Sequence, residues 1–341
     1  FVLLLALRLN TWVALFGALA YGFSSYFLII FEAGHNSKAA AIAYMPAVLA
    51  SVYLLFRGSR WWGAALLALT MGLEIAANHL QVTYYLGIVL VLFALAELLR
   101  AVREKQVGSF ALSAGAGAVA IVLAVASNAG TLWGTAQYGQ YTTRGPSELT
   151  IRPDGSSAAD VKTDGLDRDY VTQWSYGKQE TLSLIVPHVK GGASGSLLKT
   201  REDLAAITDP ALKRYVTDVY QQGGYVNSYW GDQMFTSGPV YLGIVVVLLM
   251  LLLLARTEGP ARWWVSGSIP LTIVLITAVS APFVAGTLVL AYLLAGLVLW
   301  RDPLPYALFS ALYLTMLLGW GQYYMPLTDF FLDHVPGYNK F

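Results

Sequence analysis

The 341-residue chain is 57% hydrophobic, and only 12% of it is Asp, Glu, Lys or Arg, about half the charge of an ordinary soluble domain. Mean hydropathy is +0.57 and 21 basic residues face 20 acidic ones, which excludes a soluble enzyme, a disordered chain and a nucleic-acid binder. No Cys is present, so disulfide frameworks, Cys-ligated metals and Cys nucleophiles are excluded, and an oxidising or cell-surface face is compatible.

Residues 1–7 form an apolar run with no Met and no basic n-region. They read as the tail of a helix rather than a signal peptide, and the chain reads as an internal piece of a longer protein. A spanning helix needs about 20 mostly apolar residues. Nine segments qualify: 11–31, 38–56, 61–78, 83–100, 108–127, 239–256, 263–280, 283–300 and 304–320. The expected fold is therefore an all-α polytopic membrane protein of about nine or ten transmembrane helices. Residues 1–127 carry the N-terminal spans, 128–238 form one large extracytoplasmic insert of mixed structure, 239–320 carry the C-terminal spans, and 321–341 form an outer-face tail.

Basic residues gather in cytoplasmic connections. Arg8, then Arg57 and Arg60, then Arg100, Arg103 and Lys105, then Arg256 and Arg262, then Arg301 occupy alternate connections. This predicts a bacterial inner-membrane protein with the insert on the periplasmic or outer face. The 111-residue insert holds ten of the 21 basic residues, which long loops carry across regardless of charge. Within it, Thr200-Arg201-Glu202-Asp203 predicts a helix start, with helical spacing beyond it broken by Pro210, and the Gly-, Ser- and Asp-rich stretch 152–169 predicts a loop.

A buried ionisable group within a span is costly and marks a candidate site. Glu74 lies one turn from the outer end of 61–78, with Asn78 one turn further on the same face and His79, Gln81, Tyr84 and Tyr85 at the boundary. Glu74 equally fits a structural pin, and the tyrosines fit an interfacial belt. A second cluster, Glu32-Ala33-Gly34-His35-Asn36-Ser37-Lys38, puts Lys38 at a helix start, where it opposes the dipole and calls for an anion: Glu32, or a phosphate on the free N–H groups. A snorkelling Lys at a plain turn is the simpler alternative. In the insert, Trp174 to Glu180 and Tyr225 to Gln233 mix Trp and Tyr with Asp, Asn and Gln, as a sugar site does and as a membrane-surface layer also does. Lys340, in the C-terminal tail, could meet a phosphate. The four histidines (35, 79, 188 and 334) lack zinc-ligand spacing, and no P-loop or dinucleotide fingerprint is present.

Six motifs, in order, resemble the bacterial YfhO family of polytopic membrane proteins. They are Gly34-His35-Asn36-Ser37-Lys38; Gly72-Leu73-Glu74 through Asn78-His79-Leu80-Gln81-Val82-Thr83-Tyr84-Tyr85; Gln173-Trp174-Ser175-Tyr176-Gly177-Lys178-Gln179-Glu180-Thr181; Pro187-His188-Val189-Lys190-Gly191-Gly192; Tyr229-Trp230-Gly231-Asp232-Gln233 with Ser237-Gly238-Pro239-Val240-Tyr241; and Pro336-Gly337-Tyr338-Asn339-Lys340-Phe341. That family resembles the GT-C glycosyltransferases, so the resemblance implies a GT-C-like fold and transfer of a sugar from a polyprenyl-phosphate-linked donor to a cell-envelope acceptor on the outer face. The carboxylate that such enzymes carry in their first outer loop falls, by this topology, ahead of Phe1. On this reading Glu74, His79 and Asp232 are the catalytic candidates. His35, Asn36, Lys38, Asn78, Gln81, Tyr84, Trp174, Trp230 and Lys340 are the substrate-binding candidates, and a divalent metal could assist at the phosphate without a firm ligand set. Membrane lipids, the lipid-linked sugar and partner proteins of a membrane complex are the expected partners. A non-catalytic subunit of a larger bacterial membrane complex is the alternative. A lipid or solute transporter is a further one, although inverted repeats are not evident.

Overall fold

The computed structural model describes residues 1–145, 151, 155–157, 165–166, 168–196, 198, 201–221, 226, 228–233, 236, 238–256, 304, 314–323 and 325–340. The expected spans 263–280 and 283–300, and most of 304–320, lie outside them. The described chain is overwhelmingly helical. Its first half runs α1 (Val2–Ala6), α2 (Thr11–Gly22), α3 (Ser25–Glu32), α4 (Asn36–Arg57), α5 (Arg60–Ala76), α6 (Leu80–Arg103) and α7 (Val107–Ser127), with α8 (Ala129–Gly139) leading into the insert. Four stretches are long and apolar enough to cross a membrane: Thr11–Glu32, Asn36–Arg57, Leu80–Arg103 and Val107–Ser127. The chain is thus an all-α membrane protein.

The expected span 11–31 is one crossing but two helices, broken at Phe23–Ser24. Just after the break, the Ser25 hydroxyl donates to the Tyr241 carbonyl at 2.9 Å and accepts from the Tyr241 N–H at 2.8 Å. The expected span 61–78 closes early as well: α5 stops at Ala76, and Asn78 turns left-handed at φ 54°, a conformation Asn tolerates at helix ends.

Among lipid tails there is no hydrophobic drive between helices, so close packing through small residues holds a bundle together. Gly63 shows this at the α4–α5 contact, where a Cβ would run into the backbone of Leu54 and Leu55. Val48, Val52, Leu55, Leu67, Met71, Ile75, Leu86, Phe93, Ala120 and Ala124 form the buried core that α4 to α7 share. At the end of the bundle away from the insert, Glu97 is fully buried. It takes a 2.6 Å bond from Arg57 Nε on one oxygen and a 2.8 Å bond from Arg100 on the other. Arg60 Nε donates to Ser113 at 2.9 Å, and Ser113 donates to the Leu55 carbonyl at 3.0 Å.

The described part of the insert contains short helices, a 3-10 turn at Gln179–Leu184 and two isolated bridges, Ile151 with Ser157 and Gly191 with Tyr229; it contains no strand. The expected loop over 152–169 lies mostly outside the described residues, and its end opens α9 (Arg168–Thr172). Beyond Thr200 there are two helices, α10 (Arg201–Ala205) and α11 (Pro210–Gln221). Pro210 starts the second helix rather than interrupting the first, because its missing N–H and fixed φ suit the first helical position. The expected span 239–256 is helical only from Ile244, as α12 (Ile244–Arg256), after Gly243 at φ 95°. The chain continues to α13 (Met325–His334) and a 3-10 turn at Tyr338–Lys340.

Candidate functional site

Glu74 sits in the last turn of α5 and is fully buried. Thr83, in the first turn of α6, donates its hydroxyl to Glu74 Oε1 at 3.0 Å. Glu74 Oε2 has no hydrogen-bond partner among the described residues. A desolvated carboxyl oxygen without a partner is costly, so this group is kept at the expense of stability.

His79 occupies the N-cap position of α6 without a side-chain cap bond. Its pKa is lowered from the ordinary value of 6.5, first by burial and then by the positive charges of Lys38, His35 and Arg144. His79 is therefore neutral at pH 7, and the same interactions place these three side chains within electrostatic reach of it. Lys38 lies in the first turn of α4 behind His35 and Asn36. It forms no ion pair with Glu32 or any other described residue, so the anion expected from its helix position is not supplied by Glu32. Gly34 at φ 77° lets α3 turn directly into this edge.

The C-terminal segment closes on the same edge. Tyr84 donates to the Pro336 carbonyl at 3.0 Å, and Tyr85, hydrogen-bonded to Gln81, meets the Tyr338 ring edge-on at 6.5 Å. Burial, then the neighbouring tyrosines, push the Tyr338 hydroxyl well above its ordinary range. Arg144 Nε donates to the Lys340 carbonyl at 2.8 Å, and Lys340 Nζ donates back to the Arg144 carbonyl at 3.1 Å. Leu166 N–H donates to the Asn339 carbonyl at 2.7 Å, and Arg168 pairs with Asp329 and Asp333 at 3.1 and 2.8 Å. The structure thus brings His79, His35, Lys38 and, through Arg144, Lys340 together at one end of the bundle, with Glu74 in the last turn of α5, Asn78 on the α5–α6 turn, and Gln81 and Tyr84 in the first turns of α6 beneath the C-terminal segment.

Asp232 belongs to a different constellation. Its Oδ2 accepts from the Tyr323 hydroxyl at 2.9 Å, and Lys178 Nζ lies 4.3 Å from the centre of the same ring. Burial first and then the Asp232 bond push Tyr323 up to about 12. Burial lowers the Lys178 ammonium against the opposing pull of Asp232. Next to them the buried Glu180 carboxylate accepts from the Tyr229 hydroxyl and, at 2.8 Å, from the Gly177 N–H. A side chain at Gly177 would collide with that carboxylate. No hydrogen bond or ion pair joins Asp232 to Glu74 or His79. Trp174 and Trp230 stand exposed on this part of the insert. The cavity lined by Tyr176, Glu180, Ser183, Lys190, Tyr229 and Gln233 has room for water and not for a sugar ring.

Sequence reasoning missed Thr83, which lies one helix away from its partner, and Arg144, which is one of many charges in a long loop. It also missed the Glu180–Tyr229 pair, 49 positions apart, for which the sequence holds no pairing signal. Among the described residues no group of three or more His, Asp or Glu could hold a metal ion. No protein-family model, curated protein or solved structure matches the chain.

Proposed function

We propose that the chain is a membrane glycosyltransferase of GT-C type that moves a sugar from a polyprenyl-phosphate-linked donor to a cell-envelope acceptor, in the bacterial inner membrane with the insert on the outer face. One observation carries the reading. A buried carboxyl with an unpartnered oxygen, Glu74 in the last turn of α5, and His79 at the start of α6, which faces the cations Lys38 and Arg144, flank one short turn at the end of the bundle where the insert emerges. Glycosyl transfer needs a proton acceptor for the attacking hydroxyl and positive charge at the departing phosphate. In this reading Glu74 takes the acceptor proton while Lys38, Arg144 and Lys340 face the phosphate. His79 lies between the two sets, and an incoming phosphate raises its pKa. Asp232, Trp174 and Trp230 contribute from the insert, on the acceptor side.

The alternation of arginine-rich and arginine-poor connections supports the orientation. A lipid donor keeps its chain in the bilayer while its head group enters at the α5–α6 end. The test is extraction of bound lipids, followed by mass spectrometry, from protein purified gently out of its native membrane. A polyprenyl-phosphate sugar in the wild type, lost in Lys38→Ala and Arg144→Ala, is the expected result. Ordinary phospholipids together with stoichiometric partner proteins would replace the reading with that of a non-catalytic subunit.

A further inference from the structure

α12 supplies 13 helical residues, Ile244–Arg256, about 20 Å at 1.5 Å per residue, against a hydrocarbon layer of about 30 Å. In the sequence, Arg256 and the polar Thr257-Glu258 after it mark the far limit of the apolar run. On that limit, the non-helical residues 239–243 that lead into the helix supply the remaining apolar length. A second measure agrees. Tyr241 is bonded through its backbone to Ser25, seven residues before the end of α3, which is about 10 Å along that helix. A Cβ on Gly238 would meet the Ile29 side chain at 3.7 Å, so the lead-in lies alongside α3.

Irregular backbone at that depth is tolerated only where protein groups satisfy it. Ser25 serves both the N–H and the carbonyl of Tyr241. Ser183 Oγ donates to the Val240 carbonyl at 3.1 Å, and the Leu242 N–H donates to the Leu184 carbonyl at 3.0 Å. Ser183 and Leu184 belong to the 3-10 turn Gln179–Leu184, so that turn shares the depth of 240–242. The turn is two-sided. Glu180 and Ser183 are buried against the insert, whereas Leu182, Ile185 and Val186 are 40%, 46% and 55% exposed. Leu242 of the lead-in and Ile244 and Val245 of the first turn of α12 are equally open and apolar. An apolar patch of this kind is unfavourable in water and at ease in lipid.

We infer that residues 182–186 are a membrane-inserted foot of the insert, with Leu182, Ile185 and Val186 among the acyl chains of the leaflet on the insert side, continuous with the lipid-facing side of α12. The foot seals the backbone of the lead-in and seats the Glu180–Tyr229 network directly on the bilayer surface. It stands or falls independently of the proposed transferase activity.

The absence of native Cys makes a direct test possible. Single variants Ile185→Cys and Val186→Cys are spin-labelled in nanodiscs of phosphatidylcholine with a minority of phosphatidylglycerol. Their collision rates with oxygen and with a water-soluble nickel chelate are compared with those of Leu248→Cys on α12 and Asp218→Cys on α11. The foot predicts oxygen-to-nickel ratios several-fold above Asp218→Cys and close to Leu248→Cys. Ratios like Asp218→Cys overturn it, because the segment is then in water. Low access to both reagents also overturns it, because protein then covers the segment. Leu182→Cys carries the same test if Ile185→Cys does not fold.

Discussion

Two glutamates lie fully buried at opposite ends of the same helical bundle, and their surroundings differ. Glu97 has both oxygens bound by arginines, Arg57 and Arg100, whose own side chains are only 18% and 23% exposed. Glu74 has one hydroxyl partner, Thr83, and an oxygen with no partner among the described residues. The cations at its end, Lys38 and Arg144, bear on His79 and form no ion pair with Glu74. A carboxylate closed on both oxygens is a structural fastener. One left half-satisfied, one turn of chain from a histidine that faces Lys38 and Arg144, is kept for something outside the fold's own needs.

The largest difference should appear on removing each acid. Glu97→Ala removes the acid that Arg57 and Arg100 share, leaving Arg100 with the half-exposed Glu104, and should cost about 3 kcal/mol, measured as loss of thermal stability in mild detergent. Thr83→Val removes the one bond Glu74 has and should cost about 1 kcal/mol in the same assay. Glu74→Gln keeps an acceptor for Thr83 and should leave stability unchanged within about 1 kcal/mol, while abolishing any transfer activity. A Glu74→Gln loss as large as that of Glu97→Ala would erase the contrast and make both acids fasteners.

The smallest effect concerns pH. The folded pKa of His79 lies below the ordinary 6.5, so the unfolded chain takes up this proton first as pH falls. Its share of stability is whole above about pH 6.5 and is lost as pH drops through the folded value. His79→Gln should flatten that part of the pH–stability curve. His35, Lys38 and Arg144 are the charges set against His79, and Lys38→Ala should raise the lower end of that range and shrink the total loss, because one repelling charge is gone.

Much of this end of the bundle is legible in the amino-acid order. A lone Glu inside an apolar run stands out, and the Gly34 to Lys38 and Asn78 to Gln81 clusters fall at the ends of α4, α5 and α6 because apolar length dictates where helices stop. What escaped depends on contacts between distant segments. Just after the break between α2 and α3, Ser25 bonds a backbone 216 positions away. Arg144 reaches His79 because the C-terminal segment folds back over α6. Glu97 lies among ordinary leucines and alanines, and its role emerges only when Arg57 of α4 is brought beside it. The sequence offers Asp232 beside Glu74 as a catalytic candidate through its aromatic cluster and the family resemblance, and the fold gives it Tyr323 and Lys178 as companions.

The account turns on whether the Glu74 end receives an anion. The most direct measurement is the titration of His79 by NMR, using protein labelled at its four histidines and assigned with His79→Gln, with and without a short-chain isoprenyl phosphate. An open cationic site predicts that the phosphate raises the His79 pKa, and that Lys38→Ala and Arg144→Ala diminish the rise. A His79 titration unmoved by saturating phosphate would contradict it and leave Glu74 as a second fastener.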